Sequence, residues 1–370
     1  MKPVPDQITV IGAGGSGLAT AGHLALTGHR VRLWNRSEDA IARIAKSGTL
    51  SCTGAIEGEA RLELATTDME RAAVGSRLMM VTTPASAHVE IARSMAPFVT
   101  PETIVLLNPG RTFGAIEFAH ALRQAGVSRL PEIAEAQTII YTCRKTAPDQ
   151  VSILTLKHQV LLAALTGGSD ASRRMLMLLP ECLRNHFAAA DGMVQTSIGN
   201  VGMILHCLPT LLNIGWIESP RAEFKYYYDG ITPSVAMLAE RLDEERLGVA
   251  RVLGRELEST AQWLRRSYRV AGRNLFECIQ GNAHYRTIDA PTDVRHRYLF
   301  EDVPCGLVPL EAVGKLMGLS MPMTSLAVDL ACSVLETDFR ACGRSLARLG
   351  LDAASADEVM GVLAAGRSFP

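Results

Sequence analysis

The chain has 370 residues, 48% hydrophobic and 20% charged, an ordinary globular composition that excludes disordered, fibrous and low-complexity classes. Basic residues number 37 and acidic ones 38; the net charge of −1 leaves no electrostatic footprint for nucleic acid or anionic lipid. A small molecule is therefore the expected partner, and at about 100–200 residues per domain the length predicts two domains.

In chain order, Met1-Lys2-Pro3-Val4-Pro5 is not expected to be a targeting segment, since no long apolar run follows it. Short apolar runs at Ile8–Ile11, Val31–Trp34, Leu78–Val81 and Ile104–Leu107 suit strands buried on both faces. Helix-like segments Ser16–Thr27, Glu38–Ser47, Ala87–Ala96 and Ala115–Ala125 alternate with them. This alternation predicts a doubly wound, Rossmann-type parallel sheet. Thr49–Asp68 reads as a hairpin insertion with turns at Gly54 and Gly58, and Ile139–Tyr141, Val151–Thr155 and Gln159–Leu165 as strands that finish the sheet.

Beyond about residue 190 the pattern becomes long and helical, over Pro233–Leu253, Glu256–Tyr268, Leu310–Leu319, Met323–Leu335 and Ser355–Ala365, with a polar loop over Gly272–Arg295. The expected organisation is a nucleotide-binding α/β domain at 1–187 and a mainly helical domain at 188–370. Val201–Ile217 is the longest apolar stretch, but His206, Pro209 and Asn213 interrupt it, so no membrane span is expected. The eight cysteines show no metal-type spacing, and in a chain this long they suit a reduced, cytoplasmic protein with no bound metal.

Ile8-Thr9-Val10-Ile11-Gly12-Ala13-Gly14-Gly15-Ser16-Gly17 is a GxGxxG loop that follows a strand and opens a helix. Gly12 allows the tight turn, Gly14 lets backbone approach a pyrophosphate, and Gly17 lets helix pack on strand. Gly15 and Ser16 open the helix, whose free N–H groups suit the phosphates. The second strand ends in Asn35-Arg36-Ser37 where an NAD site would place an acidic residue, and Arg36 can pair with a 2′-phosphate. This favours NADP(H), with NAD(H) as the alternative if Glu38 or Asp39 holds the ribose. Thr82-Thr83-Pro84 and Asn108-Pro109-Gly110-Arg111 follow later strands at their carboxyl ends and are expected to line the cofactor.

A nicotinamide supplies hydride, so the protein must supply a proton donor and a substrate clamp. His206, in Gly199-Asn200-Val201-Gly202-Met203-Ile204-Leu205-His206, is the leading proton donor, although a histidine on an apolar helix is more often a core residue. In Arg295-His296-Arg297-Tyr298-Leu299-Phe300-Glu301-Asp302, Asp302 could orient an imidazolium and Arg297 could clamp a carboxylate; the alternative is a surface ion-pair cluster. His296 ranks behind His206 because Arg295 and Arg297 oppose a charged ring. Tyr226-Tyr227-Tyr228 reads as packing, Cys207 as a small buried hydrophobe, and Met321-Pro322-Met323 as a helix start.

Gly199-Asn200 ahead of His206, Pro209-Thr210-Leu211-Leu212-Asn213-Ile214-Gly215, Phe224-Lys225-Tyr226-Tyr227-Tyr228-Asp229-Gly230 and Tyr298 to Pro309 together resemble the octopine/nopaline (opine) dehydrogenase family. Asn108-Pro109-Gly110-Arg111 and Glu135-Ala136-Gln137-Thr138 also fit. The resemblance implies a nucleotide-binding domain joined to a helical substrate domain, with the site between them. It implies condensation of an amino acid's α-amine with a 2-oxo acid such as pyruvate, and reduction of the imine to a secondary amine. It matches His206 to the family's catalytic histidine, Asp302 to its paired aspartate and Arg297 to its substrate arginine; Gln137 and Thr138 are assigned to the second carboxylate. Cys207 and Cys305 depart from the residues common there. A homodimer is allowed for.

Two other readings stand beside this one. A ketopantoate reductase or glycerol-3-phosphate dehydrogenase type would share the nucleotide domain but use a lysine, and none of the six lysines follows Gly199-Asn200 closely. A non-catalytic NADP(H) sensor would need neither His206 nor Asp302.

Overall fold

The computed structural model describes residues 7–221 and 223–364; Met1–Pro5 and the expected helix end at Ala365 lie outside them. Twelve strands are present among the described residues. The first six are β1 Gln7–Ile11, β2 Arg30–Trp34, β3 Thr49–Gly54, β4 Gly58–Arg61, β5 Leu64–Thr66 and β6 Leu78–Val81. They are followed by β7 Ile104–Leu107, β8 Glu132–Ala136, β9 Tyr141–Ala147, β10 Gln150–Leu156, β11 Val160–Ala164 and β12 Phe187–Ala189.

Eight strands form the main sheet in the order β12-β11-β8-β7-β6-β1-β2-β5, parallel throughout except where β11 meets β8. β6 and β7 are buried at every residue, as a sheet covered on both faces requires. The register aligns Ile11 with Trp34 and with Val81, and Val81 with Leu107. The turns after β1, β2, β6 and β7 thus leave one edge of the sheet together. Strand order reverses at β1, the switch point where such sheets hold ligands. The expected doubly wound sheet is present.

Two expectations about the strands need correction. Val160–Ala164 does join the main sheet, but the strands around Tyr141 and Val151 do not finish it. β9 and β10 form a second sheet with the hairpin, in the order β4-β3-β10-β9. Val151 and Ile153 bury beside Leu50 and Cys52, against helix Gly15–Leu26. Periodicity reveals a buried face but not the sheet that covers it. The hairpin insertion itself holds as β3 and β4, while β5 runs parallel to β2 in the main sheet.

Helix Gly15–Leu26 packs against β1 and β2 on the main-sheet side and against β3, β4, β9 and β10 of the small sheet. Small residues permit both contacts: a Cβ on Gly17 would lie 1.8 Å from Gly12 O, and one on Gly22 2.2 Å from Cys52 Sγ. The helix expected over Glu38–Ser47 shortens to Ala42–Ser47, and Lys145 takes the Ala40 carbonyl that a longer helix would use.

Ser197–Ala364 forms the second compact unit. The first compact unit runs through Thr196 and contains β12, which pairs with β11 in the main sheet. The helices start where local chemistry directs. Thr232 accepts from Val235 N–H with Pro233 in the first turn, and Ser259/Gln262 and Ser355/Glu358 form reciprocal capping boxes. The polar region expected to be loop contains helix Leu275–Gln280, started by Asn274, whose side chain accepts from Glu277 N–H at 2.9 Å. Among the described residues, no helix is long and apolar enough to cross a membrane.

Candidate active site

The nucleotide half is built from the aligned turns. Gly12 has φ +110°, which favours glycine, and a side chain there would also press on Thr82 and Thr83. Gly14 ends the turn, and a Cβ placed on it meets nothing within 4 Å. That open backbone, followed by the N-terminus of helix Gly15–Leu26, is the cradle a pyrophosphate needs. Ser16 Oγ donates to Thr82 O at 3.4 Å, and Thr82 Oγ1 donates to Ile11 O at 2.9 Å, so the β6 turn supports the glycine loop. Thr83 Oγ1 is buried without a hydrogen-bond partner, and Pro84 beside it is exposed. An unsatisfied hydroxyl beside an open glycine cradle fits a dinucleotide.

At the end of β2, Asn35 braces the loop: Oδ1 accepts from Ala13 N–H at 3.0 Å and Nδ2 donates to Ser37 O at 3.0 Å. Arg36 is exposed and pairs with Glu90 at 3.0 Å; Ser37 is exposed beside it. Gln137 and Thr138 follow β8, with Gln137 N–H donating to Leu161 O.

The helical unit brings His206 and Asp302 together across 96 positions of sequence: Nδ1 to Oδ2 is 2.7 Å. His206 stands on helix Gly202–Leu212, which contains Pro209. Pro209 has no N–H for Leu205 O; the Tyr226 hydroxyl lies 3.4 Å from that carbonyl and donates to His206 O at 2.9 Å. Asp302 is 1% exposed and precedes a π-helical turn, Val303–Leu307. Gly306 in that turn approaches so closely that an added Cβ would lie 3.0 Å from Met203 Cβ on the His206 helix.

The buried carboxylate accepts, so Nδ1 carries the proton and Nε2 of the neutral ring is the acceptor. Nε2 lies 3.2 Å from the Tyr227 hydroxyl. Burial pushes the Tyr227 phenol well above its usual range, so it stays protonated and donates. Tyr298 stacks on the imidazole with centroids 4.0 Å apart at 12°, and Tyr285 stacks on Tyr227 at 4.1 Å. Arg297, exposed, holds its guanidinium carbon 5.9 Å from the Tyr298 ring centroid. His296 instead caps helix Arg297–Phe300, accepting from Tyr298 N–H, and burial followed by Arg297 lowers its pKa.

Two residues that belong to these sites were not singled out for them in the sequence. Tyr227 lies within a run read as packing; its hydroxyl direction, not its residue type, sets it apart. Lys145, a strand residue, reaches the glycine loop with its ammonium. The packing reading holds for Tyr226, and for Cys207, which is buried.

Residues 189–335 match the family model of the NAD/NADP octopine/nopaline dehydrogenase alpha-helical domain, and residues 7–138 that of the NAD-dependent glycerol-3-phosphate dehydrogenase N-terminus. An opine dehydrogenase of Arthrobacter sp. (strain 1C) is 35% identical over 350 residues, covering 94% of this chain and 96% of its own. Octopine dehydrogenase solved with NADH and L-arginine has the same fold, with a TM-score of 0.80 at 20% identity over 99% of both chains. Yersinopine dehydrogenase with NADP+ bound gives 0.75 at 16% identity over 97% of this chain and 98% of that one. The glycine loop in one unit and the imidazole–carboxylate pair in the other thus stand in a chain that belongs to the octopine/nopaline dehydrogenase family, NAD(P)-dependent oxidoreductases that reductively join an amino acid to a 2-oxo acid.

Proposed function

We propose that His206, backed by Asp302, is the proton-transfer group of this condensation, that Arg297 clamps a substrate carboxylate, and that NADPH is the preferred reductant. The observation that carries the reading is the 2.7 Å contact between a helix-borne imidazole and a buried carboxylate. When bound, the nicotinamide supplies the hydride that reduces the imine carbon. Nε2 takes a proton from the attacking amine and passes it to the former carbonyl oxygen, giving the neutral carbinolamine; the ring, protonated again from solvent, then protonates that hydroxyl, which leaves as water while the nitrogen lone pair closes the iminium. Asp302 holds the tautomer by accepting from Nδ1–H and offsets the charge of the imidazolium while it exists. Tyr227 orients Nε2 and yields that position to substrate.

Arg297 is exposed, and among the described residues no carboxylate forms an ion pair with it, so its planar fork is available for bidentate binding. Gln137 and Thr138 are assigned to the second carboxylate. Gly12, Gly14, Gly15, Ser16 and Gly17 hold the pyrophosphate, with Thr82, Thr83 and Pro84 toward the nicotinamide. The preference for NADPH rests on Arg36, whose exposed pairing with Glu90 is weak enough for a 2′-phosphate to displace. In the same reading the chain works in the cytoplasm, where its eight free thiols stay reduced, alone or as a homodimer.

A lysine-dependent reductase is disfavoured by the helical unit's two lysines: Lys225 is ion-paired with Asp289, and Lys315 with Glu311. The test is NADPH oxidation with mixtures of amino acids and 2-oxo acids, with products identified by mass. Consumption that requires both substrates and yields a secondary amine dicarboxylate is expected. Consumption with a 2-oxo acid alone would transfer the chain to the ketopantoate-type reading.

A further inference from the structure

Lys145 stands on β9 in the small sheet, yet its ammonium serves the turns of the large one. Nζ donates to Ala13 O at 3.1 Å and to Ala40 O at 3.2 Å. Ala13 lies in the glycine loop after β1, and Ala40 in the segment after β2. These two turns flank the adenosine ribose in a doubly wound dinucleotide site. The strand itself is close as well: a Cβ on Gly15 would lie 3.4 Å from Lys145 N.

The two carbonyls satisfy two of the three ammonium donors but bring no negative charge. Among the described residues no carboxylate forms an ion pair with Lys145; it is partly buried, and burial lowers its pKa, with Asp149 opposing through space. The other cation at this edge, Arg36, is held only by an exposed pair with Glu90. Glu38 and Asp39 lie in the same turn, but both are exposed and solvated, which screens their repulsion of an anion. A partly desolvated ammonium acts in a lower dielectric, where its attraction for an anion is screened less than theirs.

We propose that Lys145 is the second cation of a site for the 2′-phosphate of the adenosine ribose, with Arg36 as the first. This rests on the NADPH reading and adds to it a residue from a different sheet. The phosphate supplies the counter-charge that the two carbonyls do not, through a charge-assisted hydrogen bond from the third donor.

Calorimetric titration of the full chain with 2′,5′-ADP and with 5′-AMP tests it, on the wild type and on Lys145→Met, Lys145→Arg and Arg36→Ala. The wild type is expected to bind 2′,5′-ADP about tenfold or more tighter than 5′-AMP. Lys145→Met should erase most of that difference and leave 5′-AMP affinity within about twofold, whereas Lys145→Arg keeps the preference. Equal weakening of both ligands would make Lys145 a strut between the turns and overturn the assignment. A preference retained in Lys145→Met but lost in Arg36→Ala would also overturn it, with the NADPH reading intact. No preference in the wild type would end the NADPH reading itself, and Lys145 with it.

Discussion

At the scale of single residues, the proposed role of His206 depends on which ring nitrogen is left open. Asp302 is buried and accepts from Nδ1, so in the proposed mechanism Nε2 is the nitrogen that exchanges protons, and Tyr227 donates to it. This orders the expected effects. His206→Ala should lower kcat about 10²–10⁴-fold with adenine-nucleotide affinity unchanged. Tyr227→Phe removes one hydrogen bond to a neutral ring, worth about 1 kcal/mol, so kcat should fall by about tenfold or less. Steady-state kinetics beside thermal midpoints checks both; a Tyr227→Phe loss as large as that of His206→Ala, in a chain of unchanged stability, would make Tyr227 a proton-transfer group itself. The contact between His206 and Asp302 was legible as a pairing because each is a chemically distinctive residue in a recognisable run, and Arg297 stands exposed beside Tyr298 as the proposed carboxylate clamp. The Tyr227 contact was not, since a phenol in an aromatic run looks the same whether its hydroxyl meets the His206 ring or, like Tyr226, a helix carbonyl. Asn35 was legible as a polar residue at the end of β2, but its bond to Ala13 N–H is a tertiary fact.

At the scale of elements, helix Gly15–Leu26 is the piece on which the nucleotide half turns. It carries the phosphate cradle at one end and is covered by both sheets along its length. Its glycines and its helical period are plain in the sequence. The small sheet that covers it was not, because β3 and β10 pair across a long sequence separation, and alternation reports burial without naming the partner. One consequence is measurable. His23 on this helix is 9% exposed, with Nδ1 3.1 Å from the Tyr141 hydroxyl of the small sheet. Burial, with His186 adding repulsion, lowers its pKa from 6.5 to about 4. The unfolded chain then binds the extra proton between those values, so this contribution is full above pH 6.5 and declines as pH falls toward 4. The loss over that window is about 3 kcal/mol. Denaturant unfolding at pH 7 and pH 5 should show wild type losing more stability than His23→Gln; equal losses would remove His23 as the cause.

At the scale of the whole molecule, the glycine loop and the imidazole–carboxylate pair are built in separate compact units, one around the sheets and one around the helices. The texture change in the sequence marked two domains, and the first compact unit runs beyond β12 to Thr196, into the start of the helical pattern. The helical unit has a polar node that periodicity could not reveal. Arg246 is fully buried, its Nε donating to Asp243 at 2.6 Å and its other nitrogens to the Ile198 and Glu258 carbonyls. Asp243 also accepts from Thr260 N and Oγ1. The node joins helices Pro233–Val252 and Thr260–Tyr268 to the segment that leads into the His206 helix. Asp243→Ala leaves a guanidinium buried without its counter-charge, a loss of about 3–5 kcal/mol. Because that loss falls on the helical unit, condensation activity should disappear on heating before 5′-AMP binding does. Following both along one temperature series separates the units; their simultaneous loss in the variant would mean that the chain unfolds as a single cooperative body and that the node supports the sheets as much as the helices.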